Sequence, residues 1–398
     1  MNEVIKKRQP IYLDNHATTP TDPRVVEAML PYFTEKFGNP HSGSHYYGWE
    51  AAEAVEVARA QVAAAIGAAP EEIYFTSGAT EANNLALKGV TRFYRDKKNH
   101  IITCVSEHPC ILDSALDLES EGTDFTYLTV GSDGLIDIND LKAAITEDTL
   151  LVSIMTVQNE IGTIQPMAEI GALCHEHKVY LHTDAAQALG KIPLDVKAMN
   201  IDLMSLTGHK AYGPMGCGAL YVTNKPKARL KPLFSGGGQE KGIRPGTLPA
   251  PLCVGLGKAC ELAQAEVVQE SEVLRGMRDG LLSALTDALS GLHINGGMDA
   301  RVAGNLNISV ENVDAESLMA ALPDLAFSTG SACSSASAVS SYVLNAIGLP
   351  GELAESSLRI GLGRFTTAEE VDYAAMRLIE EINNIRENRQ VLSGDAAE

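Results

Sequence analysis

Three residues stand out by their chemical neighbourhoods: an aspartate, a lysine and a cysteine. Asp184 lies in His182-Thr-Asp-Ala-Ala-Gln187, directly after the apolar run Val179-Tyr-Leu181. That places a carboxylate at the C-terminal end of a buried strand. Thr207-Gly-His-Lys210 follows a second short apolar run, Leu203-Met-Ser-Leu206, and sets a lysine at an interior-leading turn. Cys333 sits in Ser328-Thr-Gly-Ser-Ala-Cys-Ser-Ser335, a loop of hydroxyls and glycine where burial does not explain a thiol. A lysine amine can carry an aldehyde, and a carboxylate can keep a pyridine nitrogen protonated, which together suit pyridoxal phosphate. An accessible thiolate beside that cofactor points to sulfur chemistry. Each motif alone has a plainer reading. Asp184 could cap the following helix, and Lys210 could be a surface lysine beside a glycine turn.

A further motif, Phe75-Thr-Ser-Gly-Ala-Thr-Glu81, puts small residues between a strand and a helix. Free N–H groups and the helix dipole make such a turn a phosphate cradle, although any strand-to-helix turn also favours Ser, Thr and Gly. It matches neither the dinucleotide fingerprint nor the Walker loop, which counts against nicotinamide and nucleoside triphosphates. The order phosphate turn, acid, lysine favours the pyridoxal phosphate reading over each isolated alternative.

The elements that must hold these residues are legible as alternating periods. Tyr47 to Ile66, Thr80 to Tyr94, Ile111 to Glu121 and Met167 to His177 read as helices. Glu72 to Phe75, His100 to Val105, Phe125 to Thr129, Leu150 to Thr156 and Val179 to Thr183 read as strands. This alternation predicts an α/β domain with a mostly parallel sheet, whose ligands bind outside the C-terminal strand ends. A glycine-rich stretch, residues 235–247, interrupts the pattern. A long helix from Pro251 to about Leu289 leads to a smaller α+β unit with strands at Asn305 to Val310 and Ser357 to Gly361. A last helix runs from Ala368 to Arg386, and the end from Ser393 is expected to fray.

With 398 residues there is room for two domains, and 45% hydrophobic against 21% charged residues is ordinary for a globular protein. A net charge of −20 argues against nucleic acid and anionic membranes as partners. No apolar stretch has the length of a signal peptide or a membrane span. Seven scattered cysteines without a CxxC pair favour free thiols in a reducing compartment, so the cytoplasm is expected. Six of them sit in apolar or helical settings that suit buried thiols. Cys174-His-Glu-His177 with His182 invites a metal reading, but adjacent helical positions point apart, and no metal site is expected.

Taken together, the motifs resemble the cysteine desulfurases of the IscS/NifS branch, class V enzymes of the fold-type I pyridoxal phosphate group. The resemblance runs from Tyr12-Leu-Asp-Asn-His-Ala-Thr-Thr-Pro20 to Arg364-Phe-Thr-Thr367. It includes Phe37-Gly-Asn-Pro40, Thr76 to Glu81, Glu107-His-Pro109, Asn159-Glu-Ile-Gly162, Gly208-His-Lys210, Gly246-Thr247 and Gly330-Ser-Ala-Cys333. It implies a large domain, residues 16–262, built on a mostly parallel seven-stranded sheet. It also implies a small domain, residues 1–15 and 263–398, with a mobile cysteine loop at about 328–338.

The resemblance further implies roles. Lys210 would carry the pyridoxal 5'-phosphate aldehyde and later shuttle a proton. Asp184 would pair with the pyridine nitrogen, Gln187 would contact the phenolic oxygen, and His108 would stack on the ring and assist acid–base steps. Ala79, Thr80, Thr207 and His209 would hold the phosphate, joined across a homodimer interface by Thr247. Asn159 and Arg359 would bind the carboxylate of L-cysteine, and Cys333 would take its sulfur as a persulfide, leaving alanine. Cys333 is also a potential transient iron–sulfur ligand. The sulfur would go to an iron–sulfur scaffold protein or another acceptor, such as a tRNA thiolation relay. The tail after Arg386 does not match the extended C-terminus by which IscS docks its scaffold. A selenocysteine lyase or an aminotransferase of the same class, or a catalytically dead interaction protein on this fold, are the competing readings. Cys333 and the intact Asp184, Lys210 and His108 speak against them.

Overall fold

The structure, a computed structural model, describes residues 10–224, 227–329 and 341–394. Residue contacts divide the chain into two units. The larger comprises Thr18–Asn159 and Thr163–Gln269, and the smaller Met1–Ala17, Glu160–Gly162 and Glu270–Glu398.

The larger unit is organised by seven strands: β1 (Ile73–Thr76), β2 (His100–Cys104), β3 (Asp124–Leu128), β4 (Thr149–Ser153), β5 (Tyr180–Asp184), β6 (Leu203–Thr207) and β7 (Gly218–Val222). They lie in the order β1-β7-β6-β5-β4-β2-β3. The five from β6 to β3 pair in parallel, and β7 runs antiparallel to both β6 and β1. This is the mostly parallel seven-stranded α/β sheet that the resemblance implies. Strands β4, β6 and β7 are buried along their whole length, which is why they read as apolar runs rather than alternating ones. Helices α1 (Tyr46–Ala65), α2 (Ala79–Tyr94), α3 (Pro109–Ser120) and α4 (Met167–His177) supply the connections. Leu85 and Val90 of α2 and Ile111 and Leu118 of α3 pack with Ile101, Leu151, Leu203 and Leu220 of the sheet.

The sequence pattern missed β7, and the long helix that follows, α5, runs from Ala250 to Ala288. The division between the units falls within it. The smaller unit holds an antiparallel sheet of β8 (Leu292–Ile294), β9 (Asn305–Val310), β10 (Ser328–Thr329) and β11 (Ser357–Gly361), in the order β10-β11-β9-β8. Ile11–Tyr12 pairs separately, in parallel, with Leu325–Ala326. Leu306, Ile308, Leu358 and Ile360 of this sheet share a core with Leu281 and Leu285 of α5 and Leu378 of α6. That last helix, α6, spans Ala368–Gly394 and so continues past Arg386.

The glycine-rich stretch is pinned by a buried ion pair. Arg59 of α1 binds both carboxylate oxygens of Glu240, at 2.8 and 2.7 Å. Glu240 also accepts the Phe75 N–H at 2.7 Å, and the Arg59 guanidinium lies 4.9 Å from the Phe75 ring centroid. Glu240 and Lys241 take left-handed backbone angles, φ 48° and 56°, which non-glycine residues adopt at a cost. Removing one member of such a pair strands the other's charge in the interior. Glu240→Ala is therefore expected to cost about 3–5 kcal/mol, read as a lower urea midpoint; an unchanged midpoint would show that Arg59 finds water instead.

Candidate active site

Four of the expected residues, Asp184, Thr207, His108 and Asn159, lie at one edge of the large sheet, where the parallel strands end. Asp184 closes β5, Thr207 closes β6, and Gly78 follows β1. His108 follows β2, and Asn159 lies six residues beyond the end of β4. Gly218, the first residue of the antiparallel β7, pairs with both Thr76 and Thr207 and so reaches the same edge. A side chain at Gly218 would meet the Gly78 Cα at 2.7 Å and the Leu206 carbonyl at 2.4 Å, so only glycine lets these backbones close.

Helix α2 starts at Ala79 behind Gly78, which provides no side-chain cap. Its first-turn N–H groups are thus presented by Ala79 and Thr80 where an anion would sit. Thr207 adds a hydroxyl, 3.8 Å from the position of a Cβ at Gly78. The acid of this turn, Glu81, is tied up: it accepts from Arg244 at 2.8 and 3.2 Å and from the Ser77 N–H at 2.8 Å. Burial pushes the Glu81 carboxyl up, but these bonds outweigh it and hold it below its ordinary range. A phosphate fits this turn by chemistry and by charge.

Asp184 is buried, accepting the Ala186 N–H at 2.8 Å and the Asn83 amide at 2.7 Å. That geometry holds a carboxylate in the interior with capacity for a further donor, as a protonated pyridine nitrogen requires. Gln187, also buried, accepts from Lys191. Lys210 sits on a turn that the chain's first segment clamps. The His209 carbonyl accepts from the Thr19 N–H at 2.8 Å and from the hydroxyls of Thr18 and Thr19, and the Thr18 hydroxyl lies 3.1 Å from His209 Nδ1. Burial, then the Lys210 and Lys191 charges, push His209 down to about 4, so it is a neutral hydrogen-bonding group at physiological pH.

His108 is the N-cap of α3, ahead of Pro109 at the first helical position. Its Nδ1 accepts the Cys110 N–H at 3.2 Å. Burial lowers its pKa; Asp184 and Asp113 oppose this and Lys210 reinforces it. The preceding residue, Glu107, is fully buried and takes the Met155 N–H at 2.6 Å, with a carboxyl pushed up to about 8, chiefly by burial. Asn159 is buried in the same unit, its Oδ1 accepting from Gln158 at 3.4 Å. Thr247, by contrast, is exposed.

Two residues of this network were not singled out from the sequence. Asn83 lies one turn along α2 from Thr80 and is fully buried, which its local sequence does not signal. Cys110 was grouped with the buried thiols, but it is only partly buried and its Sγ lies 3.1 Å from His108 Nδ1. The residues of the metal reading lie otherwise than as a set. Cys174 is buried, His175 and His177 are exposed, and both ring nitrogens of His182 are engaged, by Ser153 at 2.8 Å and Ser205 at 3.1 Å.

In the smaller unit, Arg359 of β11 is 2% exposed and binds Asp14 at 2.9 Å and the Ser328 hydroxyl at 3.4 Å, both through Nη2. Cys333 lies outside the described residues.

Residues 11–374 match the family described as Aminotransferase class-V. Cysteine desulfurase IscS of Rickettsia africae is 56% identical over 378 residues, covering 95% of this chain and 92% of the relative. That of Rickettsia prowazekii is 54% identical over 387 residues, 97% of this chain and 94% of the relative. Among solved structures, a NifS-like protein superposes with a TM-score of 0.88 at 35% identity, over 94% of this chain and all of that one. The structure described as SspA in complex with cysteine gives 0.80 at 41% identity, over 90% and 100%. The chain belongs to the class-V aminotransferases and, within them, to the cysteine desulfurase family. Its cofactor is pyridoxal phosphate, which the uncapped helix, the buried carboxylate and the lysine turn fit.

Proposed function

We infer that the protein is a pyridoxal phosphate-dependent cysteine desulfurase, converting L-cysteine to L-alanine and passing the sulfur to its own Cys333 as a persulfide. The observation that carries this is the convergence of Asp184, His108 and Lys210 beside the uncapped start of α2. When bound, the cofactor supplies an electron sink for the substrate's Cα. The chain's residues do the rest. Lys210 provides the amine that carries the aldehyde and then moves a proton, and Asp184 keeps the pyridine nitrogen protonated. Ala79, Thr80, Thr207 and His209 would hold the phosphate, Gln187 would contact the phenolic oxygen, and His108 would serve the ring as an acid–base group.

Arg359, aimed by Asp14 and Ser328, and Asn159 receive the substrate carboxylate. The Cys333 thiolate attacks the substrate sulfur; the S–S bond forms as the C–S bond breaks toward carbon, which is protonated to give alanine. Thr247, exposed in the single chain, completes the phosphate site of a second copy in a homodimer. The persulfide goes on to an iron–sulfur scaffold or another acceptor thiol. Among the described residues no helix is long and apolar enough to cross a membrane, which fits work in the cytoplasm.

With L-cysteine and a thiol reductant, purified enzyme should form alanine and sulfide in equal amounts and sediment at twice the chain mass. Absence of alanine would overturn the assignment, and a fully active monomer would overturn the role of Thr247.

A further inference from the structure

Cys110 has none of the roles above, yet two of them meet through it. Its Sγ lies 3.1 Å from His108 Nδ1 and 3.1 Å from Asn83 Nδ2. The same Asn83 nitrogen lies 2.7 Å from Asp184 Oδ2. Chemistry fixes the direction of each bond. An amide nitrogen only donates, so Asn83 gives one proton to the Asp184 carboxylate and one to the Cys110 sulfur. The Cys110 backbone N–H can only donate, and it reaches His108 Nδ1 at 3.2 Å, so that nitrogen is an acceptor and carries no proton. The sulfur, already accepting from Asn83, keeps its own S–H for the same Nδ1.

We propose that Cys110, with Asn83, is a positioning residue that holds His108 as a neutral ring with its proton on Nε2. The inference builds on the reading of His108 as an acid–base group of the desulfurase, and adds which of its nitrogens holds the proton. Nε2 is then the nitrogen whose N–H the neutral ring presents as a hydrogen-bond donor. Nδ1 is committed to α3 and, through Cys110 and Asn83, to the carboxylate that serves the pyridine nitrogen. Cys110 itself keeps its proton. Burial, then Asp184 and Glu107, push the thiol up to about 12, against the opposing influence of the Asn83 bond and Lys210. It is a hydrogen-bond donor at neutral pH and no sulfur acceptor.

The titratable groups acting on His108 are Asp184 and Asp113, which favour the imidazolium, and Lys210, which with burial disfavours it. The S–H donor adds to the second side, because it is satisfied only while Nδ1 is unprotonated. Deleting it raises the pH at which the ring titrates. Cys110→Ala should shift His108 upward by about half to one pH unit, the worth of one neutral hydrogen bond. Cys110→Ser, whose hydroxyl still donates, should titrate close to the wild type.

The test is a pH series of nitrogen-15 spectra on holoenzyme labelled at histidine, with His108 assigned by its disappearance in His108→Gln. In the wild type, Nδ1 should resonate as an unprotonated nitrogen and Nε2 as a protonated one. The acid limb of kcat/KM against pH should move with the ring in Cys110→Ala and return in Cys110→Ser. A protonated Nδ1 in the neutral wild-type ring, or a ring in Cys110→Ala that titrates at the wild-type pH, would overturn the proposal. Should Cys110→Ala not fold, the wild-type tautomer still decides. The spectra report even if L-cysteine is not turned over, so failure of the functional reading is separately visible.

Discussion

Replacing Lys210 by alanine is expected to abolish alanine formation from L-cysteine, with a loss of about 10⁴-fold or more, since it removes both the covalent attachment and the proton carrier. The turn that presents Lys210 is held by its neighbours. The Gly208 N–H bonds the Cys217 carbonyl, and Thr18 and Thr19 bond the His209 carbonyl. The site should therefore keep its shape in Lys210→Ala. Asp184 and the α2 turn still offer the pyridine nitrogen and the phosphate their partners, so cofactor should bind noncovalently, with an altered absorbance. Lys210→Arg separates charge from chemistry, because guanidinium stays protonated and carries no aldehyde. It should be as inactive as the alanine variant. Normal turnover in either would refute the assignment of Lys210.

Cys333→Ser is expected to lose persulfide formation while the cofactor spectrum stays as in the wild type. A serine hydroxyl is a far poorer nucleophile toward sulfur than a thiolate. Four of the other thiols offer no substitute. Burial pushes Cys104, Cys110, Cys174 and Cys260 up, Cys110, Cys174 and Cys260 each to about 12, so all four remain protonated where the enzyme works. Radiolabelled sulfur from cysteine should accordingly stay on the protein in the wild type and in Cys110→Ser, and be absent from Cys333→Ser. Label retained in Cys333→Ser would move the sulfur-accepting role to another cysteine. Alanine formed at the wild-type rate in that variant would favour a lyase that needs no protein thiol.

The parts of this site that the sequence announces are those whose chemistry needs a particular residue at a strand end. Asp184 and Lys210 each follow a short apolar run. Those runs, β5 and β6, are buried because helices cover both faces of a parallel sheet, and such runs are conspicuous. Strand β7 was hidden because Gly-Ala-Leu-Tyr-Val follows the turn-rich Tyr212-Gly-Pro-Met-Gly216. It also breaks the strand–helix alternation by returning antiparallel directly from the Lys210 turn. The Asn83–Cys110–His108 connection was hidden for a different reason. Asn83 and Cys110 are 27 positions apart on two helices, and nothing in either local pattern says that those helices pack side by side. An amide and a thiol on helices look like ordinary interior residues until a neighbour supplies a directed donor or acceptor. Arg59 and Glu240, 181 positions apart, are illegible in the same way.

Helix α2 begins without a side-chain cap, since Gly78 has none to give. Most helices carry their own N-terminal cap, and losing one typically costs about 1 kcal/mol. In the function proposed above, the cap would be a diffusible molecule. The phosphate of the cofactor would finish the secondary structure, so part of the stability of the larger unit would be set by mass action. It grows with the logarithm of free cofactor concentration above the dissociation constant. For such a chain, the supply of the cofactor would contribute to how much of the protein stays folded as well as to how much of it is active.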